Sequence, residues 1–430
     1  MMRKKRRLAH VVTWKGAHSL QSDQVMEQPN PGRLRRIFEI FAVSTKLGLT
    51  SFGGPIAHLG YFHQEYVNKR KWIGEQKYAE LVALCQFLPG PASSQVGMGI
   101  GLYRGGIAGA LAAWAGFTLP SAVLLVLFAL LLQGTTLADS GWLHDLKLTA
   151  VAIVAQAVWS MGVKLAAGRS RATIAVLAAA ATLLWPSGLT QVLIIAASAL
   201  VGLWLYRSGP TPGTMPARPG EDSQSGIRVR RSWAIASLAA FFGLLGLLPL
   251  VSRWWPNLGL QLFDVFYRAG SLVFGGGHVV LPLLQSEVVP RGWIGEEGFL
   301  SGYGAAQAVP GPLFTFGSYL GASIDGITGA ILATIAIFLP AFLLVVGVLP
   351  FWHRLRGIPK VGYALQGVNA AVVGILLAAL YDPIWISSVQ RTGDFIVALL
   401  LFAMLMFWKL PPWVVVVAGA AGGALLGWVG

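Results

Sequence analysis

The sequence predicts an all-α polytopic membrane protein made of two inverted-topology repeats, and three observations support this fold class. Of the 430 residues, 55% are hydrophobic and only 11% are charged, whereas a soluble domain carries roughly 25% charged residues. Apolar stretches of about 20 residues, the length that crosses a bilayer, occupy most of the chain. One set of motifs also occurs twice, and such duplication decides the architecture. We expect about 12 or 13 hydrophobic segments, some of them broken or re-entrant helices.

The duplicated unit begins with the segment Ser51–Pro55 (SFGGP), which returns as Val273–Gly277 (VFGGG). Further along each copy, the run Pro89–Pro91 (PGP) returns as Pro310–Pro312. Single residues match in the same order, namely Glu65 with Glu287, Trp72 with Trp293, Gln86 with Gln307, and Pro120 with Pro340. In membrane transporters, duplicated hydrophobic segments that glycine or proline interrupts point to the substrate site.

The chain divides into four parts. Residues 1–34 form a basic cytoplasmic tail, residues 35–206 the first transmembrane repeat, residues 207–232 a cytoplasmic linker, and residues 233–430 an extra helix followed by the inverted second repeat. Prolines and arginines interrupt the apolar pattern in the linker, as in flexible connections. The tail lacks the apolar stretch and cleavage site of a secretory signal peptide, so we expect the first helix to direct membrane insertion.

Charges in matching loops indicate that the repeats face opposite ways across the membrane. The loop Asn68–Lys71 is basic, while its counterpart carries Arg291 against Glu296 and Glu297. Short cytoplasmic loops of membrane proteins carry an excess of Lys and Arg, so we expect these two loops on opposite sides. The hydrophobic segment Trp233–Val251 has no partner ahead of the first repeat. One added crossing at this point would invert the second repeat.

The net charge of +15 does not indicate nucleic-acid binding. Nine basic residues precede the first hydrophobic segment and most of the others lie in short loops, where they set the topology and contact the lipid bilayer. Cys85 is the single cysteine, which excludes disulfides and cysteine metal clusters. No spacing of His, Asp or Glu indicates a metal site, and no nucleotide-binding or redox-cofactor motif is present. The sequence therefore predicts no cofactor and no enzyme, but transport driven by a gradient or by the membrane potential.

The Pro-Gly-Pro motifs predict anion sites. Proline removes backbone donors and ends the preceding helix, so a new half-helix would start after Pro91. The unpaired N–H groups of such a start bind anions, and the Ser93 and Ser94 hydroxyls add donors. Thr315 would play the same part after Pro312. The alternative is a simple kink or loop between two ordinary helices.

Two cations, Lys46 and Arg268, lie at matching places inside hydrophobic segments. Such charges are costly in a membrane and mark functional sites, and the pair could neutralise a dianion. The alternative is that each one reaches an interface or pairs with an acid such as Glu39 or Asp264.

Other polar and small residues near these cations keep two interpretations open. The glycines of the Phe-Gly-Gly motifs serve either close helix packing or the approach of bare backbone to a ligand. Glu65 and Glu287 either carry a coupling proton or pair with basic residues. His58, His63 and His278 are unmatched between the copies, which favours hydrogen-bonded structural roles.

The candidate substrate-binding residues come from all of these motifs. They are Lys46, Ser51, Gly53, Gly54, Gln86, Pro89, Gly90, Pro91, Ser93, Ser94, Arg268, Gly275, Gly276, Gln307, Pro310, Gly311, Pro312 and Thr315.

Four stretches of the sequence strongly resemble the long-chain chromate transporter (CHR) family. They are Ser51–His58, Gln86–Gln95, Phe274–Pro282 and Gly302–Pro312. This resemblance implies efflux of chromate from the bacterial cytoplasm across the inner membrane, through two homologous halves in opposite orientation. Chromate is a tetrahedral dianion much like sulfate, so a carrier of sulfate or another oxyanion is an alternative. An anion channel is a further alternative, and a homodimer is left open.

Overall fold

The computed structural model describes residues 32–133, 141–207, 230–355 and 358–429. All regular elements in these residues are helices, which confirms the predicted all-α fold. Residues 1–31 of the predicted tail and residues 208–229 of the predicted linker lie outside the described residues.

The described part of the first half consists of α-helices joined by short turns. In chain order they are α1 (Arg33–Thr50), α2 (Gly54–Phe62), α3 (Glu75–Phe87), α4 (Ala92–Gln133), α5 (Gly141–Leu165), α6 (Arg169–Leu184) and α7 (Gly188–Leu205). A π-helical segment, His63–Lys69, continues α2.

The second half begins with the extra helix that the sequence predicts. It continues with a similar series, and its helices are α8 (Arg231–Trp254), α9 (Leu258–Leu272), α10 (Val280–Val288), α11 (Glu296–Ala308), α12 (Phe316–Val348), α13 (Trp352–Leu355), α14 (Pro359–Ala379), α15 (Ile386–Ser388), α16 (Thr392–Met406) and α17 (Pro412–Val429). Single 3₁₀ turns, Gly277–Val279 and Leu313–Thr315, precede α10 and α12.

Six helices among the described residues are long and apolar enough to cross a membrane. They cover Ala92–Gln133, His144–Leu165, Gly188–Leu205, Arg231–Trp254, Leu313–Phe351 and Pro359–Ser388. Large apolar side chains such as Leu127, Leu193 and Phe242 lie exposed on their outer faces, as expected where lipid replaces water as the solvent. The protein is therefore a multi-pass helical membrane protein, as predicted.

Local sequence signals explain where several helices begin. Pro55 stands in the first turn of α2, where its missing N–H costs nothing. The Ser187 side chain accepts a hydrogen bond from the backbone N–H of Thr190 at the start of α7. The Asn257 side chain does the same for Leu260 at the start of α9. Both are ordinary N-caps that satisfy a free backbone donor.

The helices α4 and α12 are each broken at a glycine and fold back on themselves. Gly106 has φ 66° and ψ −156°, and Gly326 has φ 57° and ψ −145°. The residues on either side of each break form two arms whose backbones touch. Gly101 contacts Gly109 in α4, and Gly321 contacts Gly329 in α12. In an unbroken helix these partners would be about 12 Å apart at the usual rise of roughly 1.5 Å per residue. Each of the two helices is therefore a hairpin with a short and a long arm.

The centre of the molecule is built by close helix crossings. The helix α1 packs on α4, α9 packs on α12, and α4 packs on α12. A β-carbon on Gly48 would lie 2.7 Å from the Phe117 carbonyl oxygen, and one on Gly270 would overlap the carbonyl of Ile337. Only glycine allows backbones to approach this closely. These crossings bring the chain segments that follow α1 and α9 into the middle of the protein.

Candidate functional site

Two hydrogen bonds connect the halves at matching positions. The Gly90 N–H, in the first Pro-Gly-Pro turn, donates to the Val273 carbonyl oxygen at 2.7 Å. The Gly311 N–H, in the second turn, donates to the Ser51 carbonyl oxygen at 2.9 Å. Ser51 and Val273 hold the same place, directly after α1 and α9. Each turn is thus bound by the other half, and we call this region the central crossing.

The glycines of both turns are required by the backbone geometry. Gly90 has φ 110° and Gly311 has φ 105°, a region that residues with side chains rarely adopt. A β-carbon on Gly311 would lie 2.8 Å from Ser121 Oγ and 3.4 Å from the Gly48 carbonyl oxygen. One on Gly90 would lie 3.3 Å from the Ala341 β-carbon. The turns are therefore packed tightly at the central crossing.

The half-helix start in the first half has the polar character that the sequence predicts. The helix α4 begins directly after Pro91, so its first N–H groups have no partner within the helix. Ser93 and Ser94 are only 3% and 2% exposed. The Ser93 hydroxyl lies 3.3 Å from Nδ1 of His58, and the Gln95 amide donates to the Pro89 carbonyl oxygen at 2.8 Å.

The half-helix start in the second half carries one hydroxyl, and that hydroxyl is bound within the turn itself. The Thr315 hydroxyl donates to the Pro312 carbonyl oxygen at 2.7 Å. Phe314 stands where the first half has Ser93, and it is 1% exposed. The two predicted anion sites therefore differ in the side chains that surround them.

Several buried polar atoms near the central crossing have no hydrogen-bond partner in the described part of the chain. Those of the first half are Ser51 Oγ, His58 Nε2, Ser94 Oγ, Gln95 Oε1 and Thr118 Oγ1. An unpaired buried polar group costs about 1–3 kcal/mol. Such groups are rare in folded proteins and call for a reason, such as a ligand, an ion or a water molecule.

The predicted cations Lys46 and Arg268 each contact a matched acid. Lys46 Nζ lies 3.4 Å from Glu65 Oε2, and Arg268 Nη1 lies 2.7 Å from Glu287 Oε1. The Lys46 side chain is 54% exposed and that of Arg268 is 21% exposed. These contacts agree with the alternative in which the acids pair with basic residues. A role of Glu65 or Glu287 in proton coupling stays a prediction.

In each half an arginine binds the same acid as a second cation. Arg70 binds the first acid with a 2.8 Å contact, and Arg291 binds the second acid at 2.8 Å. The guanidinium of Arg70 lies 5.3 Å from the ring centre of Trp72, and that of Arg291 lies 5.1 Å from Trp293. Distances of this size allow a cation–π attraction. Both halves therefore carry the same group of two cations, one acid and one tryptophan.

The two charged clusters differ in their net charge. Among the described residues, the first joins Lys46, Lys69, Arg70 and Arg104 to Glu39 and Glu65. The second joins Arg268 and Arg291 to Asp264 and Glu287. The first cluster therefore has a surplus of positive charge, and the second is neutral. A cavity of about 710 Å³ opens beside Arg268 and also contacts Arg253.

The structure brings most of the predicted site residues together. Those that form the central crossing or lie directly beside it are Ser51, Pro89, Gly90, Pro91, Ser93, Ser94, Pro310, Gly311, Pro312 and Thr315. Gly53, Gly54, Gly275 and Gly276 form the turns that follow α1 and α9. Gln86 is exposed at the end of α3, and Gln307 is partly buried with an unpartnered Nε2.

The sequence does not single out three residues as site candidates that the structure places in a charged cluster or leaves unpartnered near the central crossing, namely Arg70, Arg291 and Thr118. Arg70 and Arg291 stand two residues before the matched tryptophans, so the repeat itself carries the signal. Thr118 carries no such signal, because the equivalent residue in the second half is Phe338. No group of three or more His, Cys, Asp or Glu residues suited to a metal ion occurs in the part of the chain that is described.

These features define a class of protein, namely a multi-pass α-helical membrane protein whose two halves are joined at paired Pro-Gly-Pro turns. The family model described as "Chromate transporter" matches the chain twice, over residues 38–203 and 260–424. The chain therefore belongs to the chromate transporter family, and the resemblance found in the motifs is confirmed.

Relatives support this assignment over nearly the whole length. The chromate transport protein of Pseudomonas aeruginosa is 28% identical over 416 residues, which cover 91% of this chain and 92% of that protein. The probable chromate transport protein of Synechococcus elongatus is 29% identical over 417 residues, with 93% and 98% covered. The uncharacterized transporter YwrA of Bacillus subtilis is 29% identical over 179 residues, 98% of its own length but 39% of this chain. No solved structure matches the chain.

Proposed function

We propose that the protein is a secondary-type transporter that exports chromate from the cytoplasm across the bacterial inner membrane and thereby confers chromate resistance. The family assignment and the names of the Pseudomonas and Synechococcus relatives support chromate as the cargo. The two halves would be inverted repeats, with the substrate bound between them.

The single observation that carries this proposal is the pair of hydrogen bonds at the central crossing. Each Pro-Gly-Pro turn binds the segment after the first helix of the other half, through Gly90 to Val273 and through Gly311 to Ser51. Each helix start is thereby held against the other half, and helix starts attract anions through their free N–H groups and their dipole. Broken helices that meet between repeats are the usual form of a substrate site in secondary transporters.

The charged clusters support export as the direction. The first cluster adjoins the basic loop Asn68–Lys71, which the positive-inside rule assigns to the cytoplasm. Its surplus of positive charge would raise the local concentration of a dianion at that side. The second cluster is neutral and would bind the departing anion less strongly.

In this proposal the predicted residues divide into two groups. Residues of the central crossing supply backbone N–H groups and hydroxyls to the anion. Lys46 and Arg268 supply positive charge on either side, each held in place by its acid. Glu65 and Glu287 would move with these cations when the pathway opens, whether or not they also carry a coupling proton.

Uptake of labelled chromate into inside-out membrane vesicles tests the proposal, because export from a cell becomes uptake in such vesicles. We expect saturable chromate uptake that empty-vector vesicles lack. Arg268→Ala should abolish chromate resistance in cells although the protein still reaches the membrane. Wild-type resistance in that variant would contradict the role of Arg268, and absent uptake in wild-type vesicles would contradict the function.

Sulfate is the second candidate cargo, because hydroxyls and backbone N–H groups suit any tetrahedral dianion. Unlabelled sulfate that inhibits chromate uptake at equal concentration would favour a general oxyanion carrier. An anion channel would instead give a large conductance in a planar bilayer with purified protein. The homodimer left open by the sequence is checked by the mass of the purified protein in detergent.

A further inference from the structure

Most of the unpartnered buried polar atoms near the central crossing lie in the first half, and His58 is one of the residues that carry them. His58 is 1% exposed, and its Nδ1 lies 3.3 Å from Ser93 Oγ. The edge of the His58 ring faces Phe117, with 5.4 Å between ring centres. The ring also lies within hydrogen-bonding reach of the Ser51 backbone, whose carbonyl oxygen accepts the hydrogen bond from Gly311.

Thr118 is a further residue of the first half with an unpartnered hydroxyl. It follows Phe117 in the long arm of α4, and the Ser121 hydroxyl donates to its carbonyl oxygen at 3.1 Å. A β-carbon on Gly311 would lie 2.8 Å from that Ser121 hydroxyl, so this turn of α4 faces the second Pro-Gly-Pro motif. Thr118 is 1% exposed, and its own hydroxyl has no partner.

Other threonines of this protein show how unusual the Thr118 hydroxyl is. A threonine in a helix commonly donates to the carbonyl oxygen four residues earlier. Six described threonines do so, namely Thr45, Thr50, Thr149, Thr173, Thr182 and Thr334. Thr118 does not, although its helix offers the same acceptor. Its hydroxyl is therefore kept free at a buried place.

The equivalent positions in the second half carry no such free groups. Ser51 is replaced by Val273, His58 by Val280, Ser93 by Phe314 and Thr118 by Phe338. All four replacements are buried, and the rings of Phe314 and Phe338 contact each other with 5.9 Å between their centres. Thr315, equivalent to Ser94, has its hydroxyl bound to the Pro312 carbonyl oxygen.

We propose that the oxyanion binds in a single, one-sided site that the first half provides, with Ser51, His58, Ser94 and Thr118 as its side-chain donors. This inference rests on the proposed function and deepens it. The four groups, together with the first N–H groups of α4, form a set of neutral donors suited to the oxygens of a tetrahedral oxyanion. The valines and phenylalanines of the second half would close the site without binding the anion. His58 and Thr118 are thereby assigned to substrate recognition, and the Gln95 amide, which is bound to Pro89, is not.

Thr118→Val is the sharpest test, because it changes the shape little and removes only the free hydroxyl. Loss of one hydrogen bond to a charged ligand lowers affinity about tenfold or more. We expect the KM for chromate uptake into inside-out vesicles to rise about tenfold. The melting temperature of the purified variant should stay equal to that of the wild type or increase, because no protein hydrogen bond is lost.

Thr182→Val is the matched control, since the Thr182 hydroxyl donates to the Ala178 carbonyl oxygen at 2.8 Å in α6. We expect this variant to keep the wild-type KM and to melt at a lower temperature. Ser51→Ala provides a second variant at the site, with the same expected effects as Thr118→Val. An unchanged KM in both Thr118→Val and Ser51→Ala, in vesicles whose wild-type protein transports chromate, would overturn the one-sided site and leave the proposed function intact.

A binding measurement separates the two proposals if wild-type vesicles fail to transport. Chromate and sulfate are each added to purified wild-type and Thr118→Val protein, and the shift in melting temperature is recorded. A shift in the wild type that the variant loses supports the site. No shift with either anion, or an equal shift in both proteins, overturns it.

Discussion

A methyl group placed on Gly311 tests the central crossing most directly. Its backbone has φ 105°, and its N–H binds the Ser51 carbonyl oxygen at 2.9 Å. In Gly311→Ala the new β-carbon would lie 2.8 Å from Ser121 Oγ, closer than such contacts normally are. The turn would have to shift away from the first half, and the hydrogen bond between the halves would weaken or break.

Two costs determine how far Gly311→Ala lowers the stability, namely backbone strain and overpacking. A left-handed backbone costs an alanine roughly 1–2 kcal/mol, and forcing an added carbon into a packed site typically costs about 1–3 kcal/mol more. We therefore expect Gly311→Ala to lower the free energy of unfolding by about 2–5 kcal/mol. Gly90→Ala should cost less, because its nearest atom, the Ala341 β-carbon, would be 3.3 Å away.

Gly292→Ala is the control for the backbone term. Gly292 has φ 70°, and a β-carbon there would have no atom within 4 Å. It should therefore cost only about 1–2 kcal/mol. The stabilities of the three purified variants are compared by thermal unfolding in detergent, with tryptophan fluorescence as the signal. If Gly311→Ala is no less stable than Gly292→Ala, the conclusion that the turn at Gly311 is tightly packed is wrong.

Further predictions concern the charged residues. Arg268→Met should destabilise the protein by roughly 3–5 kcal/mol, because it removes the main partner of the buried Asp264. Lys46→Met should cost only about 0–1 kcal/mol, since that side chain is half exposed, and equal melting temperatures of the two variants would contradict this contrast. The hydrogen bond from Lys147 lowers the pKa of Glu297, so this pair stabilises the fold at neutral pH and the stabilisation is lost as the pH falls through the lowered pKa. Glu297→Gln should therefore flatten the decrease in melting temperature on acidification, and an unchanged profile would show that the pair contributes nothing.

Much of the fold could be predicted from the sequence because membrane helices leave strong signals. The extra helix was expected at Trp233–Val251 and is observed as Arg231–Trp254. The breaks in α4 and α12 agree with the broken helices that the sequence predicts, because Gly106 and Gly326 stand beside the charged residues Arg104 and Asp325, directly ahead of an apolar run. A glycine that reverses the chain has the same hydropathy as one that packs against a neighbour.

The site was predictable where the two halves agree and hidden where they differ. Duplication pointed to Lys46, Glu65, Arg268 and Glu287, but only the folded chain shows that each cation contacts the acid of its own half. The sequence favours a structural role for His58, because the second half has no matching histidine. Hydrogen bonds between distant segments, and the lack of them, depend on three-dimensional packing that no spacing along the chain encodes.

Thr118 is equivalent to Phe338, and Ser51 is equivalent to Val273, so the two halves differ at positions that were once the same. This difference has a consequence for how such a protein evolves. A carrier assembled from two copies of one short chain must place the same residue at both positions, so each side chain is a compromise between two tasks. The relative of half length in Bacillus subtilis shows that the unit also occurs alone. Joining both units in one chain removes that constraint, and each half can then specialise. One half can then bind the cargo, while the other half moves relative to it during transport.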